Sequence, residues 1–178
     1  GYNHLGNAYY SLEKHEKAVA AFLKALELNP DAKVDYNTLG VSYFCLEKYK
    51  EAASSFLKAM EVKPDYVEYY NLGNAYYHLG EYEKAITNFL KSIEIEPEHA
   101  RPYRYLGVVY YDLEAYENAV SFFCKAIELQ PDDVKNYSDL GNTYYQLGEY
   151  EKAISSYLNA VELQPNDQDV NFMLNRTY

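Results

Sequence analysis

The chain is dominated by a period. Leu5-Gly6, Leu39-Gly40, Leu72-Gly73, Leu106-Gly107 and Leu140-Gly141 recur at intervals of 34, 33, 34 and 34 residues. Pro30, Pro64, Pro97, Pro131 and Pro165 keep the same beat, each 24 residues after its glycine. One phrase, YYNLGNAYYHLGEYEKAI at 69–86, returns almost unchanged as NYSDLGNTYYQLGEYEKAI at 136–154. A catalytic centre has no reason to recur in this way, whereas a packing unit that buries its apolar face on its neighbours does. The period therefore predicts a stacked array in place of one central core.

Aligning the units turns the sequence into columns. Tyr2, Tyr36, Tyr69, Tyr103 and Tyr137 stand three residues before each leucine, and Tyr9, Tyr43, Tyr76, Tyr110 and Tyr144 stand four after it. Offsets of three and four fall on one face of a helix. A second apolar stripe follows in each unit: Ala18, Ala52, Ala85, Ala119 and Ala153, then Phe22, Phe56, Phe89, Phe123 and Tyr157 four residues later. Ala25, Ala59, Ser92, Ala126 and Ala160 complete that stripe. Each unit thus reads as two helices, the second ended before its proline, which has no amide to continue it. Asp31, Asp65, Asp132 and Asn166, directly after the prolines, are the expected caps of the next helix. Gly80 and Gly148 suit a left-handed exit between the two helices, with Glu13, Glu47 and Glu114 in that place elsewhere. A glycine inside a helix costs about 1 kcal/mol against alanine, so the repeated Leu-Gly glycine calls for close packing, here expected against the small alanine column. The turn before the third unit is one residue short, Asp65 to Tyr69 against Asp31 to Tyr36, which predicts an altered rotation between the second and third units.

These columns, an aromatic, Leu-Gly, Tyr, Ala, Phe or Tyr, Ala and Pro, resemble the tetratricopeptide repeat family over essentially the whole chain. Departures are mild: tyrosine stands where the family often has tryptophan, Ser92 replaces an alanine, and His15 replaces the tyrosine of the Tyr49, Tyr82, Tyr116 and Tyr150 column. The resemblance implies an all-α solenoid of stacked antiparallel helix hairpins forming a right-handed superhelix. It divides the chain into repeats at about 1–32, 33–65, 66–99, 100–133 and 134–167 of a single array over 1–178. In the partial repeat or capping helix at 168–178, Leu174 and Tyr178 keep register while Asn171 and Asn175 replace the aromatic and the glycine. Entering just before a Leu-Gly and stopping partway through a sixth unit is the pattern expected of a piece of a longer array.

Composition then narrows the function. A net charge of -11, from 27 acidic against 16 basic residues, opposes general binding to nucleic acid or anionic lipid. No apolar run approaches the roughly 20 residues needed to cross a bilayer, so membrane insertion is not expected. Cys45 and Cys124 occupy different places in their units and form no disulfide framework or metal motif, and reduced thiols are expected. His4, His15, His78 and His99 fall in four different columns, and no phosphate loop, dinucleotide fingerprint or nucleophile elbow occurs. The chain is therefore expected to be no enzyme and to carry no metal or cofactor.

The resemblance further implies that first helices line a concave face and that its ligands are extended or helical segments of other proteins. Columns not spent on packing are then the candidate groove: Asn7, Val41, Asn74, Val108 and Asn142 two residues after each leucine, and Tyr10, Phe44, Tyr77, Tyr111 and Tyr145 five after it. Asn3, Asn37, Tyr70, Arg104 and Ser138 lie two residues before the leucine, and Thr38, Asn71, Tyr105 and Asp139 one before it. An asparagine amide both donates and accepts, so it holds a peptide backbone without reading its side chains, while tyrosine adds contact area at little entropic cost. Packing between helices is the other reading of the tyrosines, and solvated surface that of the asparagines. Arg101, Arg104 and Lys135 are expected to converge as a local positive spot for a carboxylate or phosphate; internal pairing with Asp139 or Asp112 is the alternative. A two-carboxylate clamp of the kind that holds chaperone tails in this family is not expected, because Asn3 and Tyr70 replace its basic residue and Asp139 its arginine.

A non-enzymatic scaffold holding a protein or peptide segment in a concave groove is accordingly the leading reading. Self-association through exposed array ends, or service as the substrate-recruiting region of a larger enzyme such as a glycosyltransferase, are the alternatives.

Overall fold

A computed structural model describes residues 1–62 and 64–177, so the expected register of Tyr178 lies outside the described residues. It falls into two compact units, Gly1–Ile95 and Glu96–Tyr178. The first holds α1 (Tyr2–Ser11), α2 (His15–Leu28), α3 (Tyr36–Cys45), α4 (Tyr49–Val62), α5 (Tyr66–His78) and α6 (Tyr82–Ile95). The second holds α7 (Ala100–Asp112), α8 (Tyr116–Leu129), α9 (Val134–Gln146), α10 (Tyr150–Leu163) and α11 (Gln168–Thr177). Among the described residues there is no strand. The protein is an all-α solenoid whose consecutive helices pair as antiparallel hairpins and stack within each unit.

Each hairpin turns through the left-handed residue expected of it. Glu13, Glu47 and Glu114 have φ of 56°, 58° and 57°, and Gly80 and Gly148 have φ of 74° and 75°. The following amide reaches back to close the helix end, as when Lys14 N–H donates to the Tyr9 carbonyl at 2.9 Å and Glu81 N–H to that of Tyr76 at 2.9 Å.

Inside the hairpin the glycine has a different partner from the one expected. A Cβ added to Gly6, Gly40, Gly73, Gly107 or Gly141 would lie 2.5 to 2.7 Å from the ring of Phe22, Phe56, Phe89, Phe123 or Tyr157 respectively. The glycine thus makes room for a large ring four residues beyond the alanine column, because a ring reaches across the helix interface where a methyl group does not. Those rings and Ala18, Ala52, Ala85, Ala119 and Ala153 are fully buried. Ser92 keeps its place in the small column by donating its hydroxyl to the Tyr66 carbonyl at 2.9 Å.

The caps also differ from expectation at three of four places. Asp65 does cap α5, accepting from Tyr66 N at 2.7 Å. Asp31, Asp132 and Asn166 do not cap; Asp133 and Asp167, one residue further on, accept the first amides of α9 and α11. His99 fills that position for α7, its ring nitrogen accepting from Arg101 N at 3.4 Å. Before α3 the same position is Ala32, which has no oxygen to offer. Helix α3 consequently begins a turn later, where Asp35 accepts from Thr38 N at 3.0 Å and from Thr38 Oγ1 at 2.8 Å.

Candidate functional site

The sequence-derived groove columns lie on first helices, and in each unit the successive first helices touch: α1 with α3, α3 with α5, α7 with α9, and α9 with α11. The structure spends many of these side chains on joining one hairpin to the next. Asn3 Oδ1 accepts the Asp35 amide at 3.1 Å, and Asn7 Nδ2 donates to the Asp35 carboxylate at 3.5 Å. Asn71 Nδ2 donates to Asn37 Oδ1 at 3.2 Å. Arg104 repeats that pairing with charge, donating Nε and Nη2 to Asp139 Oδ2 at 2.9 and 2.8 Å. Tyr70 packs toward Phe89, with ring centroids 6.2 Å apart.

The expected positive spot is therefore neutralised in part. Arg104 is an ion pair with Asp139, and Lys135 lies near the same carboxylate, while Arg101 lies beside His99, whose basicity is lowered first by burial and then by that guanidinium. Burial raises the Asp139 carboxyl above the ordinary aspartate range, and Arg104 offsets only part of that effect. Arg101 and Lys135 are exposed in the first turns of α7 and α9.

The aromatic column is half-buried and forms one ring pair per hairpin at its turn end. Tyr10 meets His15, Phe44 meets Tyr49, Tyr77 meets Tyr82, Tyr111 meets Tyr116 and Tyr145 meets Tyr150, with centroids 5.3 to 6.0 Å apart. His78 joins this ridge unannounced by the sequence. It stacks on Tyr49 at 4.6 Å and meets Phe44 edge-on at 5.3 Å, and burial there lowers its pKa.

Two clefts open between successive first helices. The first, about 50 Å³, is lined by Val41, Phe44, Phe56, Asn71 and Asn74. Asn74 is only 7% exposed, and its Oδ1 has no hydrogen-bond partner among the described residues. The second, about 210 Å³, is lined by Val108, Tyr111, Asp112, Phe123, Asp139 and Asn142. Here the equivalent asparagine is satisfied, since Tyr157 Oη donates to Asn142 Oδ1 at 2.8 Å. The tyrosine at the place held elsewhere by phenylalanine was the sequence signal for that difference. Asp139 and Asp112 were read from the sequence only as alternative partners of the arginines; that both line one cleft follows from α7 and α9 lying side by side. No helix among the described residues is long and apolar enough to cross a membrane.

Family models for the tetratricopeptide repeat match residues 1–32 and 36–66, and a TPR repeat model matches 73–114. Residues 113–177 match the family model of regulator of microtubule dynamics protein 1-3. No curated protein matches the chain. Among solved structures the chain is similar to YrrB, a TPR protein with an unusual peptide-binding site, at 26% identity over 98% of this chain and 90% of that one, with a TM-score of 0.78. It is similar to the C-terminal part of a TPR repeat-containing protein from Cytophaga hutchinsonii, at 22% identity over 98% and 69% of the two chains, with a TM-score of 0.86. It is also similar to the first TPR of Spaghetti (RPAP3) bound to the HSP90 peptide SRMEEVD, at 25% identity over 64% and 90%, with a TM-score of 0.62. Repeat period, helix pairing and these matches agree: the chain belongs to the tetratricopeptide repeat family.

Proposed function

We propose that the protein is a non-enzymatic scaffold that holds an extended segment of a partner protein against the first helices of its hairpins. The observation that carries this reading is Asn74. A carbonyl oxygen buried without a partner costs about 1–3 kcal/mol, and here it lies in a cleft walled by Phe44 and Asn71. A backbone N–H of a bound segment would satisfy it, and the half-buried rings of Phe44 and Tyr77 would supply the contact area. Similarity to YrrB and to the RPAP3 repeat, both associated with peptide binding, supports the class of ligand. The acidic peptide seen with the latter is a poorer candidate here, because Arg104 of the expected positive spot already holds Asp139, which leaves Arg101 and Lys135 as its exposed cations.

Capture of partners from an extract of the source cells, followed by titration of synthetic segments of the captured protein, tests the proposal. Changing Asn74 and Tyr77 together to alanine is expected to weaken binding at least tenfold, or about 1.4 kcal/mol. Asn142 is left intact, because it satisfies the buried Tyr157 hydroxyl. Unchanged affinity in a variant with native helicity and melting temperature removes this face from the site.

A further inference from the structure

The two clefts share one plan and differ in charge. A valine, Val41 or Val108, an aromatic, Phe44 or Tyr111, and a second-helix phenylalanine, Phe56 or Phe123, form the apolar walls, and an asparagine of the next hairpin closes the far side. The remaining polar position is Asn71 in the first cleft and Asp139 in the second. Asp112 adds a further carboxylate, at a place held by Cys45 in the other hairpin. The acidic cleft is also the larger, about 210 Å³ against about 50 Å³. At roughly 30 Å³ for each water in the liquid, it has room for one long side chain.

Its chemistry selects the kind of side chain. Arg104 donates both of its hydrogen bonds to Oδ2 of Asp139. The cleft is lined by two carboxylates, Asp112 and Asp139, and by no basic side chain, so its lining carries an excess of negative charge. The surrounding field has the same sign: residues 96–178 hold fourteen acidic against six basic residues, a net -8, while 1–95 hold thirteen against ten, a net -3. An anionic group in the cleft would meet two carboxylates, and burying like charges together is strongly unfavourable. A lysine or arginine lays its methylene stem along apolar and aromatic walls while its head makes charge-assisted hydrogen bonds, about twice as strong as neutral ones.

We propose that the cleft between α7 and α9 is a specificity pocket for a cationic side chain, lysine or arginine, of the bound segment, held by Asp139 and Asp112 over Val108, Tyr111 and Phe123. This rests on the groove reading above and adds the partner's chemistry to it.

The test uses the full chain, labelled with nitrogen-15, and two blocked heptapeptides, each with three alanines on either side of a central arginine or of its neutral isostere citrulline. The arginine peptide is expected to shift the amide signals of Tyr111, Asp112 and Asn142 and to bind about tenfold tighter than the citrulline peptide, a difference of about 1.4 kcal/mol. Asp112→Asn is expected to lower that ratio severalfold. Arg104→Gln is expected to raise it, because it frees the Asp139 carboxylate, a direction that simple damage to the fold would not produce. Equal affinity of both peptides at this cleft overturns the cation inference and leaves the groove standing. So does an arginine peptide that shifts Phe44 and Asn74 as strongly as Tyr111 and Asn142. Absence of any shift on α7 and α9 with either peptide also overturns it, while the captured partner segments still decide the groove independently.

Discussion

Gly73 shows how one missing atom sets the depth of a hairpin. A Cβ there would stand 2.7 Å from Phe89 Cε1, and that ring is fully buried. Alanine would gain about 1 kcal/mol of helix propensity, but forcing a methyl into a filled interface costs typically 1–3 kcal/mol or more. Packing wins at such a short approach, so Gly73→Ala is expected to destabilise the protein by about 1–2 kcal/mol in urea unfolding. Phe89→Leu should then cost less in the Gly73→Ala protein than in the wild type, since the smaller side chain vacates the contested space. A Gly73→Ala protein as stable as the parent would mean that the ring is not where its reach is needed. The same column carries the polar difference between the clefts, because Tyr157 supplies a hydroxyl to Asn142 and Phe89 has none for Asn74.

At the scale of the element, α3 is the irregular helix, and its cause is a missing oxygen. Where α9 has Asp133, the chain before α3 has Ala32, so residues 33–35 stay outside the helix and bury Val34 in the core instead. Asp35 then carries several duties at once: cap of α3, and anchor for Asn3 and Asn7 of α1. Asp35→Ala is expected to lower stability by about 1–2 kcal/mol, the upper range for an N-cap, because the α1 asparagine loses its partner together with the helix end. Chemical unfolding measures it. A loss of only a few tenths would assign the cap to water. The α1 asparagines thus trade part of the binding role read from their column for a structural one.

For the molecule as a whole, charge is expected to oppose folding more than it helps. The exposed pairs Lys24–Glu27, Lys84–Glu81, Lys125–Glu128 and Lys152–Glu149 lie three residues apart on single helices, and pairs of this kind contribute about 0–1 kcal/mol each. Against them stands the self-repulsion of a net -11. Salt screens both, since the Debye length falls from about 30 Å at 0.01 M to about 8 Å at 0.15 M. Repulsion summed over many distant pairs loses more than a few adjacent attractions, so the melting temperature is expected to rise between those salt concentrations. A fall would show that the helix-surface pairs dominate. The same excess of acid makes a cationic segment the electrostatically favoured partner and steers its approach.

What the sequence determined by itself was the helix pattern that the spacing of a turn and of a repeat writes, though not the caps expected at Asp31, Asp132 and Asn166. The helix pairs, their left-handed exits at Glu13, Glu47, Gly80, Glu114 and Gly148, and the buried ring and alanine columns follow from spacing of three, four and about 34 residues, and spacing is written in the chain. Tertiary structure alone decided which polar groups remain available. Asn7 with Asp35, Asn37 with Asn71 and Arg104 with Asp139 are separated by 28, 34 and 35 residues, and whether such side chains meet depends on their reach across two packed helices. That reach is also why the glycines face rings and not alanines, and why two carboxylates from different hairpins line one cleft.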